Sequence, residues 1–207
     1  MYARSTTLHA QPGSLDAGIA NFRDEILPAL RDMEGFVGAS LLVDRESGMC
    51  IVTANWATPE ARQASAEKVR PLRDQAARIL NAEAVEVNEW EIAVMHRDHR
   101  APEGACVRAT WAKVDPAGAD RAVDMWKLVV LRKAEALEGF CSASMMTDRA
   151  SGRSVATITF DSKEALQRSR EQAANIRAGA VKEIGAEILD VREFELAVAH
   201  LDAPELV

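Results

Sequence analysis

Apolar residues fall at Leu15, Ile19, Phe22, Ile26, Leu30 and Met33, three or four apart, which predicts a helix with one buried face. Before it, "ARSTTLHA" (3–10) is short and rich in β-branched residues, as a strand is. After it, Gly35 supplies the left-handed conformation that a helix end often needs, and "FVGASLLVD" continues as a strand. The polar "DRESG" (44–48) reads as a tight turn, because Asp, Ser and Gly close hairpins. "MCIVTANW" (49–56) then returns as an antiparallel partner. "TPEARQASAEKVRPLRDQAARIL" (58–80) predicts a second helix with Thr58 as its N-cap and Pro59 at its first position. "AVEVNEWEIAVMH" (84–96) closes the series as a long strand.

The same pattern then recurs. "EGFVGASLLVDRESG" at 34–48 and "EGFCSASMMTDRASG" at 138–152 stand 104 positions apart. That shift lays 3–98 onto 107–202 without a gap, with 31 of the 96 pairs identical. So long a period marks a duplicated domain and not a solenoid unit. We expect one repeat over 1–98, a linker "HRAPEGA" over 99–105, a second repeat over 106–202 and a short tail over 203–207. The order βαββαβ is that of a ferredoxin-like unit with both helices on one sheet face. On the closing strand Val85, Val87, Ala93 and Met95, with Glu89 and Glu91, alternate with Trp90, Ile92 and Val94, so both faces are too apolar for open water. The expected fold is therefore α+β: two tandem ferredoxin-like units packed sheet to sheet as an intramolecular, pseudo-dimeric α+β barrel.

Composition narrows the partners. Of 207 residues, 48% are hydrophobic and 28% charged, with a net charge of −7, which opposes binding to a phosphate backbone and makes nucleic acid an unexpected partner. No window approaches eighteen consecutive apolar residues, so no membrane span is expected. "MYARSTTLHAQPG" lacks the apolar stretch of a secretory signal, so a cytoplasmic location is expected. Cys50, Cys106 and Cys141 are odd in number and lack C-x-x-C spacing, so neither a disulfide framework nor a metal site is expected.

The segments "MEGFVGASLLVDRESGMCIVTANWATPEARQAS" (33–65) and, more loosely, "LEGFCSASMMTDRASGRSVATITFDSKEALQRS" (137–169) resemble the antibiotic biosynthesis monooxygenase-like family of dimeric α+β barrels. The shared features are a Gly-Phe opening the second strand, a hairpin, a strand ending in an aromatic, and a Ser/Thr-acidic helix start. Trp56 with "ATPEA" fits well, and Phe160 with "DSKEA" is the weaker copy. The resemblance implies a small-molecule pocket between helices and sheet, and cofactor-free oxidation of quinols or anthrones by dioxygen. The family's haem-degrading branch ligates iron through a histidine on the second helix. Here His9, His96, His99 and His200 all lie outside 59–80 and 163–184, so no haem or other cofactor is expected.

No Walker, Rossmann, H-E-x-x-H or G-x-S-x-G signature is present. Glu89, Glu91, Glu193 and Glu195 share a strand face and are expected to form ion pairs with Arg4 and Arg108. The second repeat places Trp111 and Trp126 where the first has Thr7 and Phe22, adding bulk. The first has Pro28 and Pro71 inside its helices, where proline kinks the axis. A larger cavity is therefore expected in the first repeat, lined by Thr7, Phe22, Ser40, Trp56, Ser65 and Trp90, with His9 and Asn55 as candidate catalytic groups. Its ligand would be a small hydrophobic or aromatic molecule. Two functions remain open: a cofactor-free monooxygenase, or a non-catalytic binding or stress-related barrel. A homodimer of the fused chain is also open.

Overall fold

Each repeat folds in the order strand, helix, strand, strand, helix, strand. A computed structural model of the chain describes residues 1–201 and Leu206. The first repeat comprises β1 (Tyr2–His9), α1 (Leu15–Asn21), α2 (Leu27–Arg31), β2 (Phe36–Val43), β3 (Met49–Trp56), α3 (Pro59–Ala64), α4 (Ala66–Ile79) and β4 (Val85–Arg97). The second comprises β5 (Cys106–Lys113), α5 (Ala119–Met125), α6 (Arg132–Glu135), β6 (Phe140–Asp148), β7 (Arg153–Phe160), α7 (Lys163–Arg168), α8 (Arg170–Ile184) and β8 (Glu187–Leu201). Of the expected tail, Leu206 alone is described, bridging to Met95.

Local chemistry accounts for the boundaries. Thr58 Oγ1 accepts the Ala61 N–H at 3.1 Å, and Ser162 Oγ accepts that of Ala165 at 3.1 Å, so each α3-type helix starts on a side-chain cap. Gly35 and Gly139 stand at φ 75° and 76°. A Cβ on Gly35 would lie 2.5 Å from that of Ala61, which explains why both copies keep glycine. The first helix of each repeat is less regular than its spacing predicts. A π turn, Phe22–Ile26, joins α1 to α2, and another, Trp126–Leu131, joins α5 to α6. The second copy has Arg132 in place of Pro28, so proline is not what widens this turn.

The strands form a closed antiparallel barrel in the order β1-β3-β2-β8-β5-β7-β6-β4. Each repeat thus keeps the ferredoxin-like order, with its first and third strands central. The hairpins expected at "DRESG" and "DRASG" are present, with Val43 opposite Cys50 and Asp148 opposite Arg153.

The chain divides into two compact units, and each borrows a strand end from the other repeat. The first unit contains Met1–Trp90 and the last strand from Glu195 onward; the second contains Glu91–Phe194. Within the first, the end of β8 pairs with β2, from Val43↔Glu195 to Gly38↔Leu201. Within the second, the end of β4 pairs with β6, from Glu91↔Thr147 to Arg97↔Ser142.

Each unit has its own core between helices and sheet. Leu8, Leu15, Phe22, Leu30, Leu41, Val43, Cys50 and Trp56 fill the first. Val94, Val123, Trp126, Val130, Phe140 and Met145 form the main cluster of the second. One expectation fails here: Val85 and Val87 are 44% and 39% exposed. They open β4 beside His9, itself exposed at the end of β1. Trp90, Ile92 and Val94 are buried, as the alternation predicts. Among the described residues no helix is long and apolar enough to cross a membrane.

Candidate ligand cavity

A charged cluster recurs in both units. In the first, Arg4 donates to Ser65 Oγ at 2.9 Å, to the Arg62 carbonyl at 2.8 Å and to Glu89 Oε1 at 3.0 Å. In the second, Arg108 donates to Ser169 Oγ at 2.9 Å, to the Leu166 carbonyl at 2.8 Å and to Glu193 Oε1 at 2.9 Å. Both arginines are buried, and so many partners let a guanidinium leave water at small cost. Burial pushes the Glu193 carboxyl up, but hydrogen bonds from Arg170 and Arg108 hold it below the usual carboxylate range.

Glu91 and Glu195 do not join these arginines. Glu91 lies beside β6, close to the turn that follows it, and pairs with Arg149 at 2.9 Å; Glu195 likewise pairs with Arg45 at 2.7 Å. The "DRESG" and "DRASG" turns therefore also hold the borrowed strand ends. Composition alone carries no signal of that second role.

The cavities reverse the expected order. Among the described residues the second unit holds a cavity of about 80 Å³ and the first one of about 20 Å³, the latter enough for about one water. They occupy equivalent places: Leu8, Phe22, Ile26, Leu41, Cys50, Val52 and Leu80 line the small one, and Ala112, Trp126, Val130, Met145, Ser154, Ala156 and Ile184 the large one. Trp126 does add an indole, but shortening Leu8 to Ala112, Val52 to Ala156 and Ile26 to Val130 removes more carbon than it adds. Trp111 fills nothing here. Strand alternation turns it from Ala112 to the opposite face of β5, where it meets Phe194 edge-on at 6.4 Å. Pro28 and Pro71 lie in the unit whose described cavity is the smaller.

Of the eight residues expected at a site in the first repeat, Phe22 alone lines that unit's cavity. Trp56 is fully buried in the same core cluster, edge-on to Phe36 at 5.8 Å. Thr7, His9, Ser40 and Asn55 alternate with Leu8, Leu41 and Trp56, which places them on the face away from the helices. His9 is exposed, and Asn55 is buried with its Oδ1 unpaired. Ser65 is held by Arg4, and Trp90 Nε1 donates to Ser5 Oγ at 2.8 Å.

Sequence reasoning missed Arg177. It stands on α8, half-buried, and lines the large cavity with Arg108, Thr110 and Ser154 against an otherwise apolar wall. Desolvation, then the charge of Arg108, push its pKa down, with Glu193 acting weakly in the other direction. Arg177 makes no hydrogen bond or ion pair with a described residue. The signal available in sequence was its retention, since Arg73 is the counterpart.

No family model matches the chain. Among solved structures it is similar to an anthrone oxidase-like protein, at TM-score 0.68 and 13% identity over 100% of this chain and 94% of that one. It is also similar to a ferredoxin-fold protein from Listeria monocytogenes related to antibiotic biosynthesis monooxygenases, at TM-score 0.53 and 8% identity over 95% and 94%. At these identities the likeness is one of fold, and it agrees with the monooxygenase-like α+β barrel that the sequence motifs suggest. Two proteins of Mycobacterium tuberculosis are much nearer in sequence. The uncharacterized protein Rv2558 is 54% identical over 208 residues, 100% of this chain and 88% of its own length, and the uncharacterized protein Rv2557 is 53% identical over 207 residues, 100% and 92%. With its barrel fold and near-complete alignment to both, the chain belongs to the family of Rv2557 and Rv2558.

Proposed function

We propose that the protein binds a compact aromatic or otherwise apolar molecule bearing an ionisable oxygen in the cavity of the second unit, and oxygenates it without a cofactor. The observation that carries this reading is Arg177. A guanidinium partly out of water, next to a second cation and without an acceptor among the described residues, is stabilised when an anionic oxygen arrives. Arg108 already spends its donors on Ser169, Leu166 and Glu193, so Arg177 is the arginine available to a ligand.

The anthrone oxidase-like neighbour suggests the chemistry. A methylene activated by an adjacent carbonyl loses a proton, its anion reduces dioxygen, and the carbon ends as a carbonyl with water as the second product. Arg177 would stabilise the anion's oxygen before electron transfer, and the apolar wall would keep solvent from it. The sequence repeat at a shift of 104 supports division of labour, with the larger described cavity in the second copy.

A second reading, a binding module without chemistry, is favoured by one observation: no Asp, Glu, His or Tyr is among the lining residues, so the cavity offers no side-chain base of the usual kind. Oxygen uptake with anthrones and hydroquinones in metal-free buffer, beside calorimetric binding of the same compounds, separates the two. We expect binding of acidic compounds that Arg177→Met weakens by about tenfold, little change for uncharged isosteres, and uptake above background. Binding without uptake selects the module. Absence of binding overturns both.

A further inference from the structure

Where β4 ends, the chain turns so that the backbone N–H groups of Asp98 and His99 both point at the Cys141 carbonyl, at 2.9 and 3.4 Å. This brings together residues far apart in sequence. His99 Nε2 stands 2.6 Å from Asp161 Oδ1, and its Nδ1 stands 2.7 Å from Asp98 Oδ2. The Cys141 thiol donates to the His99 carbonyl at 3.2 Å. One ligand atom each from His99, Cys141 and Asp161 falls within a 4.8 Å span. The cluster shares no residue with the cavity.

We propose that His99, Cys141 and Asp161 form a three-ligand site for a divalent transition metal of the zinc type, with solvent completing the shell. Nitrogen, sulfur and carboxylate oxygen are the ligand set zinc takes, at about 2.0 to 2.3 Å in tetrahedral array. A triangle of this size closes on an ion by small rotations of the exposed His99 and the half-buried Asp161. Asp98 supplies the expected outer partner: a ligating histidine usually gives its second ring nitrogen to a carboxylate, which fixes the tautomer and aims the other nitrogen at the metal.

The repeat provides an independent control. The counterparts of Cys141 and Asp161 are Val37 and Ala57, and His99 lies in the connector with no counterpart. The first repeat builds the same strand start and the same helix entry from apolar residues, so the fold does not require these ligands. Zinc takes the thiolate, so binding releases the Cys141 proton and weakens as pH falls.

The test uses the untagged, chelator-stripped full chain, with zinc followed by competition against a chromophoric chelator and cobalt(II) followed by absorption. We expect one zinc per chain, a thiolate-to-cobalt charge-transfer band, and loss of both in Cys141→Val and Asp161→Ala, which install the residues of the other repeat and so should fold. Asp98→Asn should weaken zinc by about 10- to 100-fold, as loss of an outer partner does. Zinc bound equally well by the Cys141→Val/Asp161→Ala double variant, or no stoichiometric binding by the parent chain, would overturn the site.

Discussion

Arg45, in the turn between β2 and β3, holds Glu195, 150 residues along the chain, through its Nε at 2.7 Å, and the same guanidinium reaches Asp16 at 2.9 Å. Arg149 does the same for Glu91 and Asp120 in the second unit. Two copies of one turn thus fasten two borrowed strand ends, each to the helix and hairpin of the unit that receives it.

Replacing both Arg45 and Arg149 by Ala should cost little global stability, about 0.5 to 1 kcal/mol per site, because these pairs are exposed. The local effect should be larger. Hydrogen exchange of the amides at 195–201 and 91–97 should speed up selectively, and uniform acceleration over the whole chain would contradict the fastening role.

The carboxylates make this pH-dependent. The Arg149 hydrogen bond holds Glu91 below the usual carboxylate range, against opposition from burial. A group whose folded pKa is lowered contributes stability that is present above its unfolded value, about 4.3 for Glu, and lost as pH falls through the lower folded value. The stability difference between the parent and Glu91→Gln should therefore be largest near neutrality and shrink towards zero in acid. Urea denaturation at a series of pH values checks this; a constant difference would assign the loss to packing instead.

Installing the first unit's side chains in the second, as Ala112→Leu with Ala156→Val, should fill the cavity. Thermal stability should rise by about 0.5 to 2 kcal/mol, the range of successful cavity filling, while binding of aromatic acids disappears. The reverse change, Leu8→Ala, should cost about 3 kcal/mol. If the filled variant keeps its affinity, the ligand sits elsewhere.

Gly139→Ala should be among the most damaging single-methyl additions. It combines φ 76° with a Cβ placed 2.6 Å from that of Ala165, and the strain should exceed about 1 kcal/mol. Denaturant unfolding should show a lowered midpoint with unchanged slope. Gly179→Ala, in helix α8 with open space around it, serves as the harmless comparison.

Chain patterning alone determined the element order, the duplication, the Thr58 cap, the Gly35 helix end and the pairing of Arg4 with Glu89, because each rests on local propensity, on period, or on residues that both copies retain. The strand-end exchange, the cavity order and the His99–Cys141–Asp161 cluster were decided only in three dimensions. A cavity is a difference between many nearby volumes, so two conspicuous tryptophans misled while several small losses at Ala112, Val130 and Ala156 carried the outcome. Alternation along each strand then settled which of two neighbours meets the helices. A mixed ligand cluster drawn from a connector, a strand start and a strand end has no spacing to read, since only folding brings those three segments within reach of one ion.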